Sequence, residues 1–164
     1  MLITTSRKPS QRTRTFARSL ERVLNAKYIN RGKMSLRDVL IKSSQLNFNR
    51  IIIISEMKGN PSRIEILNSN GDSLISLNVM VSITSFSGKI EKDKLSIRCE
   101  IEELKKDIIP ILGIFAADER STSNLIVIKN GRRGSEGVVE FYDQNSHLTG
   151  PKIYLKHCLN PMDV

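Results

Sequence analysis

The chain has 164 residues, with 26 Lys or Arg against 17 Asp or Glu and a formal net charge of +9. That length holds one domain or two very small ones. Two cysteines exclude a disulfide scaffold, and no apolar run approaches the ~18 residues of a membrane-spanning helix. The charge is concentrated: Met1 to Lys42 carry eleven cations and two acids, Glu21 and Asp38, so the whole excess lies in the first quarter and the remainder sums to zero. A local field of that kind favours a polyanion, and nucleic acid leads because phosphate contacts supply most of its non-specific binding.

Leu2 to Thr5 reads as a short strand and Ser6 to Pro9 as a loop, since Pro9 bars helix at Lys8. Ser10 is placed to cap a helix running to about Leu24. Phe16, Leu20, Val23 and Leu24 fall on one face of it, while Arg14, Arg18 and Arg22 step by four onto the other. Tyr28 to Lys33 is a connector containing Gly32. Ser35-Leu36-Arg37-Asp38 has the pattern of a capping box and opens a second helix to about Leu46, with Leu36, Val39, Leu40 and Leu46 on its apolar face. Arg50 to Glu56 is a strand whose unbroken isoleucines require burial on both faces. A turn at Lys58-Gly59-Asn60-Pro61, a strand Arg63 to Leu67, a turn Asn68 to Gly71 and a strand Ser73 to Val81 follow.

Beyond a polar seam at Ser82 to Lys94 the order repeats. Leu95 to Cys99 is a strand and about Glu100 to Phe115 a helix that Pro110 should kink or split. Leu125 to Lys129, Val138 to Tyr142 and Lys152 to His157 are strands, separated by a loop at Gly131 to Gly137 and a turn at Gln144 to Gly150. RIIIISEMKGNPSRIEILNSNGDSLISL and NLIVIKNGRRGSEGVVEFYDQNSHLTGPKIYLK both read strand, Gly-containing loop, alternating strand, Asn-containing turn, strand. The fold expected is α/β, built from a duplicated unit of one strand, a helix and three more strands.

Arg7, Lys8, Arg12, Arg14, Arg18 and Arg22 are the strongest candidate binding residues. A loop with two cations precedes a helix N-terminus, whose free N–H groups favour a phosphate. A merely solvated face would place acids at helical spacing, and Glu21 alone is available. Arg31 and Lys33, flanking Gly32, extend the candidate surface. Gly131-Arg132-Arg133-Gly134 matches the nucleotide-clamping GxxG only superficially, because that motif joins two helices and this stretch joins two strands. Eight aromatics and no Trp argue against reading of splayed bases. Catalysis finds little support: His147 and His157 are the only histidines, His157 and Cys158 are neighbours on a strand and point apart, and no spacing suits zinc. Glu102-Glu103 and Asp118-Glu119 fit a helix surface and a loop. No Walker loop or dinucleotide fingerprint is present. No metal or cofactor is therefore expected.

LITTSRKPSQRTRTFARSL, YINRGKMSLRDVL and RIIIISEMKGNPSRIEIL together resemble the Brix domain of ribosome biogenesis factors, most closely its small-subunit processome member. A family opening TTSR-x-PS-x-R-x-x-x-F-A corresponds to Thr4 to Ser10 with Arg12, Phe16 and Ala17. Its N-R-G corresponds to Asn30 to Gly32, its strand and charged turn to Ile51 to Pro61, and its closing G-P-[RK] to Gly150-Pro151-Lys152. The resemblance covers essentially the whole chain and is loosest from Ser85 to Asn124. It implies one Brix domain over residues 1–164, with halves at 1–84 and 85–164 related by a pseudo-twofold. Each half would resemble the anticodon-binding domain of class IIa aminoacyl-tRNA synthetases. It further implies ribosomal RNA binding and pre-ribosome assembly without catalysis, and, from the absence of long tails, a minimal archaeal protein.

The expectation is thus a cytoplasmic, non-enzymatic RNA-binding assembly factor acting in ribosome biogenesis and pre-rRNA processing. Arg7, Lys8, Arg12, Arg14, Arg18, Arg22, Arg31 and Lys33 would grip phosphates of ribosomal RNA or pre-rRNA. Ribosomal proteins or other assembly factors are further expected partners, and no membrane is. The alternative is a protein-interaction scaffold in pre-ribosomal complexes.

Overall fold

The computed structural model describes residues 1–83, 90–91, 94–116, 124–132 and 134–159, with 115–116 and 157–159 as backbone alone. Its elements are β1 (Leu2–Thr5), α1 (Gln11–Val23), β2 (Lys27–Tyr28), α2 (Leu36–Gln45), β3 (Arg50–Met57), β4 (Asn60–Asn68), β5 (Ser73–Ser82), β6 (Leu95–Cys99), α3 (Glu102–Leu112), β7 (Phe115–Ala116), β8 (Asn124–Asn130), β9 (Gly137–Tyr142) and β10 (Lys152–Leu159). The strands form one ten-stranded sheet in the order β2-β1-β3-β4-β5-β10-β9-β8-β6-β7. β2, β1 and β3 pair in parallel, and β3, β4 and β5 antiparallel. β7, β6 and β8 are again parallel, and β8, β9 and β10 antiparallel. An antiparallel β5–β10 pair joins the two runs. Parallel neighbours need a long crossover, and α1 and α3 supply it between β1 and β3 and between β6 and β8.

α1 follows from its sequence. The Ser10 side chain accepts a hydrogen bond from the Thr13 N–H, which satisfies one orphan donor of the first turn. Thr13, Phe16, Ala17, Leu20 and Val23 then recur on one buried face. Fully burying an aliphatic or aromatic side chain of that size contributes about 1.5–3 kcal/mol, so the stripe outweighs the helix's arginine-rich remainder. α2 opens on a complete capping box: the Ser35 side chain accepts from Asp38 N–H and the Asp38 carboxylate accepts from Ser35 N–H.

Ile52 and Ile54 of β3 join a large apolar cluster with Phe16, Leu20 and Val23 of α1 and Leu104 and Ile108 of α3. Ile51 and Ile53 face the other way and pack with Val39 of α2 and Leu67. The unbroken isoleucine run is therefore sandwiched between helices on both faces. The large cluster also holds Ile97, Ile126, Ile128, Val139, Phe141, Ile153 and Leu155, so one core spans residues from both ends of the chain.

Four features differ from the sequence-based expectation. β2 and β7 lie where a connector and a helix end were expected; each is only two residues and is held by parallel pairing to β1 or β6, which no local pattern announces. α3 is bounded by Ile101 and Gly113 and runs through Pro110 in its last turn, where the proline removes one i→i−4 bond and the helix stops soon after. Gly113 ends it in the left-handed conformation, at φ 63. α2 stands between β2 and β3, and no described helix stands between β7 and β8, so the simple strand-helix-three-strand unit is incomplete. Parts of the seam (84–89 and 92–93), and the acidic pair Asp118-Glu119, lie outside the described residues.

Candidate nucleic-acid interface

The loop that leaves β1 begins as sheet, with the Ser6 N–H donating to Ile54 O at 2.8 Å. It then turns through Lys8, at φ 54, into a buried Pro9. Arg7 and Lys8 are left exposed on this turn. Arg31 leaves β2 on the connector beside it. Its guanidinium donates from Nε to Met34 O (3.0 Å) and from Nη1 to Thr5 O (3.4 Å), which ties the connector back to the end of β1. Burial, and then the like charge of Arg7, pull the Arg31 guanidinium below its ordinary range. Two positive loops thus converge at one end of β1 and β2. Lys33 is exposed just past Gly32, which takes φ 53, a conformation that favours glycine.

On α1, Arg18 and Arg22 are exposed on the outward face. Arg12 is exposed on one flank and donates from Nη2 to Val81 O at 3.3 Å. Arg14 is not on the outward face as expected. It is half-buried on the opposite flank, with Nε buried and lacking a hydrogen-bond partner among the described residues. The reason is geometric: a step of four advances about 40° around a helix, so the two steps from Arg14 through Arg18 to Arg22 drift from the flank onto the outward face.

The end of α1 does not offer the open phosphate site that the sequence suggested. The Glu56 carboxylate already occupies it: Oε2 accepts from Ser10 N–H (2.9 Å), from the Ser10 hydroxyl (2.8 Å) and from the Thr13 hydroxyl (2.5 Å). The Thr13 hydroxyl, ahead of the Ser10 backbone, holds the Glu56 carboxyl below the usual range against the opposing effect of burial. This carboxylate therefore satisfies the helix terminus that a phosphate would otherwise meet. No pattern in 1–42 announces it, because Glu56 lies 43 residues from Thr13 and reaches the cap only through β3. Glu21, the one acid on α1, is also engaged elsewhere, since it accepts from Tyr28 N–H at 2.8 Å. Arg7, Lys8, Arg12, Arg14, Arg18, Arg31 and Lys33 form no ion pair among the described residues.

No protein-family model matches the sequence. Probable Brix domain-containing ribosomal biogenesis proteins of Methanothermobacter thermautotrophicus and Methanococcus maripaludis are 55% and 43% identical over 71 and 94 residues. Those segments are 43% and 57% of this chain and 43% and 54% of the relatives, so the chain spans about half the length of the curated relatives it matches. The crystal structure of Mil, an archaeal Imp4-like protein, is 32% identical, covers 98% of this chain and 99% of that one, and superposes with a TM-score of 0.80. The chain belongs to the Brix-domain family. A probable ribosomal biogenesis protein from Aeropyrum pernix K1, 24% identical over 94% of both chains, shares the fold with a TM-score of 0.79.

In this Brix domain His147 and Cys99 have structural surroundings. His147 lies in a turn closed by Asp143, whose Oδ1 accepts from the N–H groups of Asn145 and His147 (both 2.9 Å), while Oδ2 sits 3.3 Å from His147 Nδ1. Cys99 is buried, and burial pushes its thiol up. Among the described residues no group of three or more His, Cys, Asp or Glu is arranged to hold a metal ion. No described helix is long and apolar enough to cross a membrane. The side chains of His157 and Cys158, and Arg133 of the hairpin tip, lie outside the described residues.

Proposed function

We propose that this Brix-family chain is a non-enzymatic ribosome-assembly factor that binds ribosomal or precursor RNA. Arg7, Lys8, Arg31 and Lys33 at the strand ends, with Arg12, Arg14, Arg18 and Arg22 along α1, would contact phosphates. The observation that carries this reading is the convergence of Arg7 on Arg31 with no carboxylate paired to either among the described residues. Like charges held together without counter-ions lower the cost of bringing in a polyanion. The ribosomal biogenesis names of the archaeal relatives support the same reading. The halves 1–84 and 85–164 would be related by a pseudo-twofold, each with an anticodon-binding-domain-like fold. The matching order of parallel and antiparallel pairings on either side of β5–β10 supports this. Holding one RNA conformer during assembly would follow from binding it better than its competitors.

If about six cations meet phosphates, log K falls with log salt at a slope near −4 to −5. Arg7, Arg18 and Lys33 are exposed and form no ion pair among the described residues, so changing all three to Gln should leave the Tm nearly unchanged. The same variant should weaken binding of a structured ribosomal RNA fragment strongly and reduce the slope by about 2 to 3. An unchanged slope and affinity would overturn the phosphate grip. Binding to a ribosomal protein that persists at high salt would point instead to the scaffold function.

A further inference from the structure

A second positive surface lies on the other face of the sheet, far along the chain from the arginine-rich opening. In the first half that face is covered by α2. In the second half no described element covers it, and the outward residues of β5, β8, β9 and β10 meet in cross-strand rows. One row runs Lys129, Val138, Tyr154, Met80. The next includes Arg98, Val127 and Glu140, with Lys152 alongside, its Nζ 2.8 Å from Glu140 Oε1. Lys129, Val138, Tyr154, Glu140 and Lys152 of these rows floor a groove of about 630 Å³, walled by Arg132 and Ser135 of the β8–β9 hairpin and by Glu100. Tyr154 and Arg132 also line an adjoining hollow of about 220 Å³, with Met80 and Lys156. Two of the chain's three tyrosines, Tyr142 and Tyr154, are on this face.

The groove is organised around Glu140. Its carboxylate is nearly buried and accepts from Lys129 Nζ at 2.7 Å, Lys152 Nζ at 2.8 Å and the Tyr142 hydroxyl at 2.6 Å. Lys129 Nζ also stands 5.5 Å from the Tyr142 ring centroid. One carboxylate thus fixes two ammonium groups of three donors each; Lys129 Nζ also donates to the Tyr142 hydroxyl at 3.3 Å, which leaves it one N–H for a ligand, and Lys152 keeps more. The lysines lose little further freedom on binding an anion, and with Arg132 and Lys156 at the rim they outnumber the two carboxylates, Glu140 and Glu100, and leave the surface net positive. Met80, 52% exposed, adds an apolar shelf beside Tyr154.

We propose that this face binds a short single-stranded RNA segment, with a base stacked on Tyr154 and phosphates on Lys129, Lys152 and Arg132. Cations beside an accessible aromatic ring suit a nucleotide, whose phosphate and base both find partners there. A base paired inside a duplex cannot reach a ring set in a groove, so the strand must be unpaired. An acidic peptide would satisfy the lysines and leave the ring unused. The inference rests on the RNA-binding reading of the family member above, and it assigns a surface and an RNA form that reading lacks.

The test is photo-crosslinking of the full chain to an octanucleotide carrying 5-bromouridine, with adducts mapped by mass spectrometry. An adduct within residues 152–156 is expected. It should survive in the Arg7, Arg18, Lys33 to Gln variant and compete with unlabelled single strand far better than with duplex or polyglutamate. Tyr154→Ala should lower affinity for the octamer about tenfold, and Tyr154→Phe should retain it. Adducts confined to residues 7–33, or equal competition by polyglutamate, would overturn this site while leaving the first surface standing. Binding of no RNA by either surface would overturn both. The adduct on the unaltered chain decides the matter even where Tyr154→Ala fails to fold.

Discussion

Glu140 shows how one residue links stability to surface charge. Burial alone would raise its carboxyl, but hydrogen bonds from Lys129, Lys152 and Tyr142 overcome this and bring it down to about 2. The same contact with Glu140 holds both lysines above their ordinary range. Because the folded carboxyl titrates below its unfolded value near 4.5, its contribution is fully present above pH 4.5 and is lost as pH falls toward 2. Both lysines are partly solvated, so the contribution is about 1–3 kcal/mol. Glu140→Gln should cost that much in urea unfolding at pH 7 and flatten the loss of stability between pH 4.5 and pH 2. An unchanged acid limb would show that the carboxylate is not held so tightly. Glu56 acts in the same direction at the cap of α1.

At the scale of elements, the helices are tied to strands distant in sequence. α1 is held at its start by Glu56 of β3. Near its other end Val23 meets the turn before β10: a Cβ placed on Gly150 would fall 2.8 Å from both Val23 Cγ1 and Phe141 Cδ2. Arg50 of β3 donates from Nε to Ile111 O at the C-terminal end of α3 (3.1 Å), where a cation suits the helix dipole. Gly150→Ala should therefore overpack the contact between α1 and β9 and cost about 1–3 kcal/mol. Thermal melts should show a Tm lower by about 2–4 °C for each kcal/mol lost. An unaltered Tm would mean that the turn yields and does not fix the helix. β2 and β7 illustrate the opposite limit, since two-residue strands carry no period of their own and exist only where β1 and β6 present a free edge.

The whole molecule combines a repeated strand order with a large apolar cluster drawn from both ends of the chain. Ile3, Phe16, Ile64, Leu77, Ile97, Ile126, Phe141 and Leu155 belong to one cluster, so neither half can lose its packing without exposing the other's. Unfolding should be one transition, with far-ultraviolet circular dichroism, which sees the whole backbone, coinciding with tyrosine fluorescence, weighted to Tyr142 and Tyr154. Two separated transitions would mean that the halves hold independent cores.

By itself the sequence determined what depends on neighbours along the chain. Capping residues and apolar periods located α1 and α2, the isoleucine run marked a strand buried on both faces, and the crowding of cations before residue 43 pointed to a polyanion. Tertiary structure alone decided what depends on residues brought together from afar. It placed Glu56 on the helix terminus where a phosphate was expected, turned Arg14 to the flank of α1, and set Tyr142 and Tyr154 on one sheet face with Lys129 and Lys152. The physical reason is that periodicity and capping act over a few residues, whereas strand register sets which side chains from separate strands share a face. A low aromatic count could therefore not reveal that most of the tyrosines gather on one surface.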